Sequence, residues 1–331
     1  MRQRWLQLTL SILISVVLVW YAVRAVDFSR VSDILRHANY GWVAAAVLSA
    51  TIIQYARVWR FGYLVRPFAN ADFSALFRIG NIGMFAIFAL PVRLGEFVRP
   101  FMLKREYGAS MSAGLGSVAA ERVIDGLVVT LGFFVLTRSG VELPPAMGQA
   151  GIGALLVFAG AAVALGIVLF GHEKGASLLR KLVGIVSPSL ADKLVGMLVA
   201  FADGLRALTN LRTLAAYMFF TLVFWFLSGV ANFVLFRALG IPLSFPVAFV
   251  MTALTVIALM LPAGPGMIGT VQAAIVWGLT ALGVDSSLAF AYSMLMYLSG
   301  NVVTVGFGLW SVLRSHVSMS TLVEQSQQEA T

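Results

Sequence analysis

The chain has 331 residues, of which 60% are apolar and 11% are charged. Soluble domains carry roughly one charged residue in four, so this composition excludes a soluble enzyme, a disordered chain and a nucleic-acid-binding domain. The formal net charge of +9 fits loops of a membrane protein that face anionic lipid. Cysteine is absent and the three histidines lie far apart, so we expect no disulfide, no metal site and no cofactor.

Apolar runs of about 18 or more residues are long enough to cross a bilayer as helices. The first run, 5–23, is followed by Arg24 where a signal peptide would need a small-residue cleavage site, so we interpret it as a retained anchor. Residues 27–38 have apolar side chains at helical spacing, which predicts a helix on the membrane surface. Further full spans are predicted at residues 41–65, 112–137, 147–171, 214–239 and 287–313.

Residues 172–212 form the one sizeable polar insert. Ser187-Pro188 is typical of a helix start. We predict an amphipathic helix on the cytoplasmic surface, with an apolar face made of Leu190, Leu194, Met197, Leu198, Phe201 and Leu205. The polar tail, 315–331, is expected to be disordered.

The distribution of Lys and Arg predicts the orientation, because cytoplasmic loops carry an excess of both. It places both termini and the insert in the cytoplasm of a bacterial-type inner membrane. The loop 24–36 disagrees, since it carries three arginines on the predicted outer side.

Two apolar segments, 73–107 and 245–283, are each broken near the middle by proline and glycine. Proline cannot continue a helix without losing a hydrogen bond, so each segment predicts a re-entrant hairpin that enters and leaves by one face. Hydropathy indicates about eight membrane segments. We therefore predict an all-α polytopic membrane protein with about six full transmembrane helices and two re-entrant hairpins. One membrane domain, 1–314, would contain an inverted repeat of 41–137 and 214–313. The alternative makes 262–269 a plain loop between two full spans.

Six charged residues lie in or beside apolar segments: Arg93, Glu96, Arg99, Glu121, Arg122 and Asp125. An unpaired charge at the bilayer centre costs at least about 2.5–3.5 kcal/mol. Three arginines and three carboxylates are therefore expected either to neutralise one another or to line a polar cavity that binds an anionic headgroup, since a guanidinium binds phosphate with two parallel hydrogen bonds. We take the six as candidate substrate-binding residues.

Arg57, Arg60 and Arg78 would extend a basic entrance to this site, or their side chains would reach the interface as ordinary snorkelling arginines. Five polar residues within apolar segments are expected to form hydrogen bonds between helices: Gln54, Asn81, Asn232, Gln272 and Asn301. Glu121 and Asp125 lie one helical turn apart, which permits acid–base chemistry without indicating it. No familiar catalytic motif is present, so we expect no enzyme.

Three segments resemble the lysylphosphatidylglycerol synthase transmembrane, flippase-like family: LPVRLGEFVRPFML (90–103), AAERVIDGLVV (119–129) and LPAGPGMIGTVQAA (261–274). The first two match its P-x-R-x-G-E-x-x-R-P and E-R-x-x-D motifs. The third differs at Met267, where a second glycine is usual, and at Gln272, where a glutamate is usual. The candidate helix-break and gating residues are Pro91, Gly95, Pro100, Pro262, Gly264, Pro265, Gly266 and Gly269. All of them except Gly264 match positions of the family motifs.

The resemblance implies a stand-alone lipid transporter without a fused synthase. Its substrates would be membrane lipids: an anionic phospholipid, or a polyprenyl-phosphate-linked or hopanoid-type lipid. The alternatives are a non-transporting scaffold for an envelope-lipid or glycan-lipid enzyme and an intramembrane enzyme using Glu121 and Asp125. A second copy of the chain or an envelope-lipid enzyme is a candidate partner.

Overall fold

A computed structural model of the chain describes residues 16–89, 95–138, 143–183, 187–260 and 265–315. The regular structure in these ranges is helical and contains no strand, which confirms the predicted all-α class. The helices are α1 (residues 16–23), α2 (Phe28–Arg36), α3 (Tyr40–Val65), α4 (Phe73–Ala89), α5 (Val98–Tyr107), α6 (Met111–Thr137), α7 (Pro145–Val183), α8 (Pro188–Leu205), α9 (Leu211–Ala238), α10 (Phe245–Ala258), α11 (Thr270–Ala281) and α12 (Ser286–Arg314).

Among the described residues, α3, α7, α9 and α12 are long and apolar enough to cross a membrane. Helix α6 has 27 residues, which is also a spanning length, but three charged residues interrupt its apolar sequence. Such helices identify a multi-pass membrane protein. Helices α3, α6, α9 and α12 begin and end within three residues of their predicted bounds. Most of the predicted first span, 5–23, lies outside the described residues.

The two broken segments each form a pair of short helices that pack against each other. Helices α4 and α5 have 17 and 10 residues, and α10 and α11 have 14 and 12. Because a span needs about 20 residues, none of the four matches an ordinary full span.

The first pair begins and ends at one end of the helix bundle, the end at which α12 finishes with Arg314. Phe77 in α4 packs against Trp310 in α12, with ring centroids 6.1 Å apart. Helix α6, which follows the pair, begins against the last turns of α8. The short 3-10 helix after α8 contacts Leu64 near the end of α3. The start of α4 and the end of α5 therefore lie at this Arg314 end.

The second pair begins and ends at the opposite end of the bundle, where α12 starts after Asp285. Arg30 in α2, just before α3, binds Asp285 at 3.1 Å. The amide of Asn39 at the start of α3 donates to the carbonyl of Ala238 at the end of α9, at 2.8 Å. Helix α10 therefore begins at the Asp285 end, and α11 finishes there immediately before α12.

The helix contacts in the two halves correspond one to one. Helix α4 packs on α12 as α10 packs on α6, α5 packs on α6 as α11 packs on α12, and α3 packs on α9 between them. An inverted repeat produces this pattern. The repeat boundaries of 41–137 and 214–313, and the single domain of 1–314, stay predictions.

Backbone geometry explains the composition of both breaks as far as they are described. A Cβ at Gly95 would lie 2.0 Å from the main-chain nitrogen of Ile87, so only glycine lets the returning chain lie against α4. At the second break, Gly266 and Met267 have φ of 69° and 59°, in the left-handed region that favours glycine. This explains why a glycine suits position 267. Pro91, Pro262 and Gly264 lie outside the described residues.

The polar insert contains the last turns of α7 and all of α8. Helix α7 continues through residue 172 to Val183 as one 39-residue helix, and the predicted end of the membrane span at 171 stays a prediction. Helix α8 begins at Pro188 as predicted, with the Ser187 hydroxyl accepting a hydrogen bond from the Leu190 amide. Of its predicted apolar face, Leu205 is buried, whereas Leu190 and Met197 are 48% and 50% exposed. The position of this helix on the cytoplasmic membrane surface stays a prediction.

Small residues form the buried face of α8 instead, because they let its backbone lie close to α6. The buried residues are Ala191, Val195, Ala202, Gly204 and Leu205. A Cβ at Gly204 would lie 2.1 Å from the Ala113 carbonyl oxygen, and one at Gly116 would lie 2.3 Å from the Phe201 carbonyl oxygen. The two glycines therefore set the separation of α6 and α8.

We predict that Gly204→Ala lowers the melting temperature of the detergent-purified protein, because the added methyl group forces α8 away from the α6 backbone at a cost of about 1–3 kcal/mol. Gly196→Ala is the matched control in the same helix, since a Cβ there meets nothing within 4 Å. It should leave stability unchanged or raise it by up to about 1 kcal/mol through helix propensity. Equal melting temperatures for the two variants would contradict the close contact.

Candidate functional site

A buried network of two arginines and two carboxylates joins α3, α5 and α6. Arg60 in α3 donates from Nη1 and Nη2 to the two carboxylate oxygens of Asp125, with Nη2 at 2.8 Å from Oδ2. The same Nη2 lies 3.3 Å from Oε1 of Glu121, and Nη1 of Arg99 lies 2.8 Å from Oε2 of Glu121. All four residues are at most 5% exposed. Each charge is therefore paired inside the protein.

Helix α9 completes this network with two aromatic residues. The indole N–H of Trp225 donates to Oδ1 of Asp125 at 3.0 Å. The guanidinium carbon of Arg60 lies 4.3 Å from the ring centroid of Phe224. The network consequently connects both halves of the chain, since α9 belongs to the second predicted repeat.

The charged residues were expected either to neutralise one another or to line a cavity for an anionic headgroup. The network shows mutual neutralisation. Arg99, Glu121 and Asp125 are closed off from solvent, and their charges are satisfied by one another and by Arg60. Their predicted role in substrate binding stays a prediction.

Arg122 and Glu96 lie at the edge of the network and are partly exposed. Nε of Arg122 is 3.9 Å from Oε1 of Glu96, and its Nη2 is 3.7 Å from Oε1 of Glu121. These distances are longer than hydrogen bonds. The two side chains are 41% and 25% exposed, so they remain accessible to a ligand. Arg93, the third predicted arginine, lies outside the described residues.

The secondary arginines have separate surroundings. Arg78 in α4 forms a two-bond pair with Glu106, at 2.8 and 2.6 Å. Arg57 in α3 donates from Nη1 to the Gln54 side-chain oxygen and lies 5.2 Å from the Phe224 ring centroid. No carboxylate in the described ranges lies within ion-pair distance of Arg57, in contrast to Arg60 one turn later.

A chain of amides fixes the position of Arg57. Asn81 in α4 donates to the Phe77 carbonyl at 2.7 Å, and the Gln54 amide donates to the Asn81 side-chain oxygen at 2.8 Å. Gln54 therefore presents its remaining oxygen to Arg57. The expected role of Gln54 and Asn81 as hydrogen bonds between helices is confirmed, and this pair also orients the guanidinium.

Arg57 lines a cavity of about 270 Å³ between the two halves of the bundle. Its walls come from α3, α4, α9 and α12. Phe88 at the end of α4 and Met267 in the second break also line it, so the cavity lies where the hairpins approach each other. We call it the central cavity. Its polar lining is Gln54, Arg57, Ser228, Asn232, Ser299, Asn301 and Thr304.

Hydrogen bonds also connect the helices that form the opposite wall of the central cavity. The Asn232 amide donates to the Thr252 hydroxyl at 2.7 Å, and the Tyr292 hydroxyl donates to the Asn232 side-chain oxygen at 3.0 Å. These two bonds connect α9, α10 and α12 without any charge. All the cavity's polar groups except Arg57 are neutral.

The second break is held by two further bonds. The Tyr297 hydroxyl donates to the Gly266 carbonyl at 2.7 Å, and the Tyr297 ring lies 6.0 Å from that of Phe88. The Gly269 amide donates to the Gln272 side-chain oxygen at 2.8 Å, which caps the start of α11. This bond lies within the start of α11, so it differs from the bond between helices that was expected for Gln272.

Sequence reasoning did not identify Arg60 as the partner of Asp125, nor Trp225 as a donor to it. A signal existed for Arg60, since it follows Arg57 by three residues inside an apolar helix and therefore lies near the same face. Nothing in the sequence around Trp225 distinguishes it from the other aromatic residues of α9, because its role depends on the packing of α9 against α6.

Comparison with known proteins gives a family match over most of the chain. The family model for the lysylphosphatidylglycerol synthase TM region matches residues 8–308. No solved structure matches the chain.

Three archaeal proteins illustrate the similarity. A protein named glycosyltransferase AglD from Haloferax volcanii is 26% identical over 91% of this chain, and the chain spans about half of that relative, 53%. A UPF0104 membrane protein of Methanocaldococcus jannaschii is 24% identical over 68% of this chain and 92% of its own length. One from Methanothermobacter thermautotrophicus is 24% identical over 83% of this chain and 84% of its own length.

We predict that Asp125→Asn destabilises the protein by about 3–5 kcal/mol, because it leaves the buried Arg60 short of its carboxylate partner. The measurement is unfolding in detergent, followed by Trp fluorescence. Asp203→Asn is the matched control, since Asp203 is 40% exposed and pairs with Arg206 at the surface. That change should cost less than about 1 kcal/mol. Comparable losses in both variants would contradict a specific role for the network.

Proposed function

The chain belongs to the lysylphosphatidylglycerol synthase TM-region family, and on this basis we propose that it is a lipid transporter. An anionic or phosphate-linked headgroup crosses through the central cavity while the acyl chains stay in the bilayer. The substrate is an anionic phospholipid or a polyprenyl-phosphate-linked or hopanoid-type lipid. The proposal follows from the cavity's position and from the charge inside it.

The observation that carries the proposal is the state of Arg57. Among the described residues, the cluster contains four guanidinium groups and three carboxylates, which leaves one positive charge over: Arg57, Arg60, Arg99 and Arg122 against Glu96, Glu121 and Asp125. Arg57 is the member that lines the central cavity and has no carboxylate partner in the described ranges. Holding such a charge inside a membrane protein is costly, and an anionic ligand offsets that cost. Its planar guanidinium suits a phosphate group.

The size of the central cavity fits a headgroup. A volume of about 270 Å³ is many times the 10–15 Å³ that one water needs. It is slightly below the roughly 300–1,000 Å³ of pockets that enclose drug-sized ligands. A phosphate with some water fits inside, whereas a whole lipid does not. The tails would then remain outside among the membrane lipids.

The two helix breaks are suited to gating. The first pair enters from the Arg314 end and the second from the Asp285 end, and they approach each other through Phe88, Gly266 and Tyr297. Movement of one pair relative to the other would open the cavity to one side at a time. Among the described residues, the contacts that would break include an aromatic pair and one hydrogen bond.

We place the Arg314 end in the cytoplasm of an inner membrane of bacterial type. Cytoplasmic segments carry an excess of Lys and Arg. Basic residues at this end include Arg66, Lys104, Arg105, Arg206, Arg212 and Arg314. Both chain termini are then cytoplasmic, because α12 finishes at this end and α1 runs toward the opposite one.

The protein is proposed to be non-catalytic. Glu121 and Asp125 would be the acid–base pair of an intramembrane enzyme. Both accept hydrogen bonds from Arg60, and both are buried. Their oxygens are occupied by hydrogen bonds from arginine side chains, so this arrangement favours a structural role for them.

A scaffold for an envelope-lipid or glycan-lipid enzyme is the second candidate. It is favoured by the name of the Haloferax relative, a glycosyltransferase of which this chain spans about half. A scaffold would act through the outer surface of the bundle, where the enzyme would bind. The central cavity would then be unnecessary.

We predict that the native protein accelerates the exchange of fluorescent phosphatidylglycerol across reconstituted liposomes and that Gly300→Leu abolishes this acceleration. Gly300 lines the central cavity, and a Cβ there meets nothing within 4 Å, so a leucine side chain starts in open space and is expected to occupy the cavity. Gly300→Ala is the matched control that leaves the cavity open.

Arg57→Gln should slow the exchange of the anionic lipid roughly tenfold, because a charged hydrogen bond to the headgroup is lost. Arg237→Gln, an exposed arginine stacked on Phe233, should have little effect.

Deletion of the gene followed by complementation separates the two candidates. If the protein is a transporter, Gly300→Leu fails to restore the membrane lipid composition measured by mass spectrometry. If it is a scaffold, the plugged variant restores it as well as Gly300→Ala does. Liposomes in which the native protein exchanges no lipid faster than empty vesicles would contradict transport directly.

A further inference from the structure

A second concavity, of about 860 Å³, lies between α3, α4 and α12. It is a lateral groove, and it shares no lining residue with the central cavity. Its walls are largely aromatic, with Tyr55, Phe77 and Phe307 in mutual contact at centroid distances of 5.3–6.2 Å. The proposed transport route leaves this groove unused.

The groove has a polar end and an apolar end. Arg78 in the second turn of α4 and Arg314 in the last turn of α12 lie at its mouth, at the Arg314 end of the bundle. Val302 and Thr51 lie at the other end, deeper along the spans. The distance from Val302 to Arg314 along α12 is about 18 Å at 1.5 Å per residue. A long apolar channel with cations at one end has the dimensions and polarity of a lipid lying parallel to the helix.

The surroundings of the groove are apolar. Tyr55, Val302 and Trp310 are 43%, 62% and 46% exposed at its rim, and Leu313 beside it is 81% exposed. On a membrane-spanning bundle such side chains face acyl chains. The groove therefore opens into the bilayer, where lipid is the abundant small amphiphile.

Two groups at the mouth are available to a negatively charged headgroup. Arg314 is exposed, stacks on Trp310 at 4.7 Å, and pairs with no carboxylate in the described ranges. The Ser311 hydroxyl lines the groove, is buried, and has no hydrogen-bond partner among the described residues. A buried hydroxyl left without a partner is costly, and a phosphate oxygen would accept its hydrogen bond. The charge of Arg78 is already balanced by Glu106.

We propose that the lateral groove binds one anionic phospholipid, with its phosphate at Arg314 and Ser311 and an acyl chain along Tyr55, Phe77 and Phe307. This site is separate from the transport route, and it does not depend on the protein being a transporter. A lipid held here packs α4, one arm of the first hairpin, against α12.

The test is native mass spectrometry of the protein released from nanodiscs that contain equal amounts of phosphatidylglycerol and phosphatidylcholine. We expect the native protein to retain one phosphatidylglycerol with roughly fivefold preference, the effect of one cation near a lipid surface. Gly306→Leu should lose that lipid, because a Cβ at Gly306 meets open space in the groove. Gly306→Ala is the matched control, because it also replaces the glycine but its small side chain leaves the groove open. Arg314→Gln should retain a lipid and lose the preference for phosphatidylglycerol.

A photoreactive phosphatidylglycerol with a diazirine in its acyl chain gives a second readout on the native protein. We expect crosslinked peptides from residues 73–78 and 302–314. Crosslinks confined to other helices, or equal lipid retention by the two Gly306 variants, would overturn the proposal. Because Gly300→Leu leaves the groove intact, failure of transport in that variant is distinguishable from loss of this lipid.

Discussion

The buried ion network of Arg60, Arg99, Glu121 and Asp125 constrains the whole bundle, because charges removed from water require partners at fixed distances. Breaking one such pair costs about 3–5 kcal/mol, a large part of the stability of an ordinary domain. The network therefore fixes α3, α5 and α6 relative to one another, and Trp225 adds α9. These contacts therefore also fix the position of the part of α3 that faces the central cavity.

Two arginines one turn apart on α3 have different roles because of what α6 and α9 place beside them. Arg60 faces the carboxylates of α6 and is neutralised. Arg57 faces Gln54 and the Phe224 ring, and its charge remains for the cavity. The buried network thus supports the rigid wall from which Arg57 projects. Helix α12 lines both the central cavity and the lateral groove, with Arg57 of α3 in the first and Arg314 in the second.

The broken helices show how local sequence and packing combine. Proline and glycine predict where α4 and α10 end, since these residues interrupt helical hydrogen bonding. Gly95 is required by contact with Ile87, and Met267 has a left-handed backbone held by the break around it. The face of α8 could not be predicted from leucine spacing, because the close approach at Gly116 and Gly204 depends on where α6 lies. Helix α7 continues past the predicted span end at 171, because the polar residues that follow are compatible with a helix that extends beyond the membrane.

Composition and hydropathy by themselves determined the membrane class, four of the long helices, the two broken hairpins and the presence of charges that need partners. These features depend on local properties: apolar length, helix-breaking residues and the cost of an ionised side chain in a low-dielectric medium. Only the tertiary structure decided which arginine is neutralised and which lines the cavity. Pairing depends on distances of 2.8 and 3.3 Å between side chains that are 65 and 61 residues apart in sequence, and no local pattern encodes such distances.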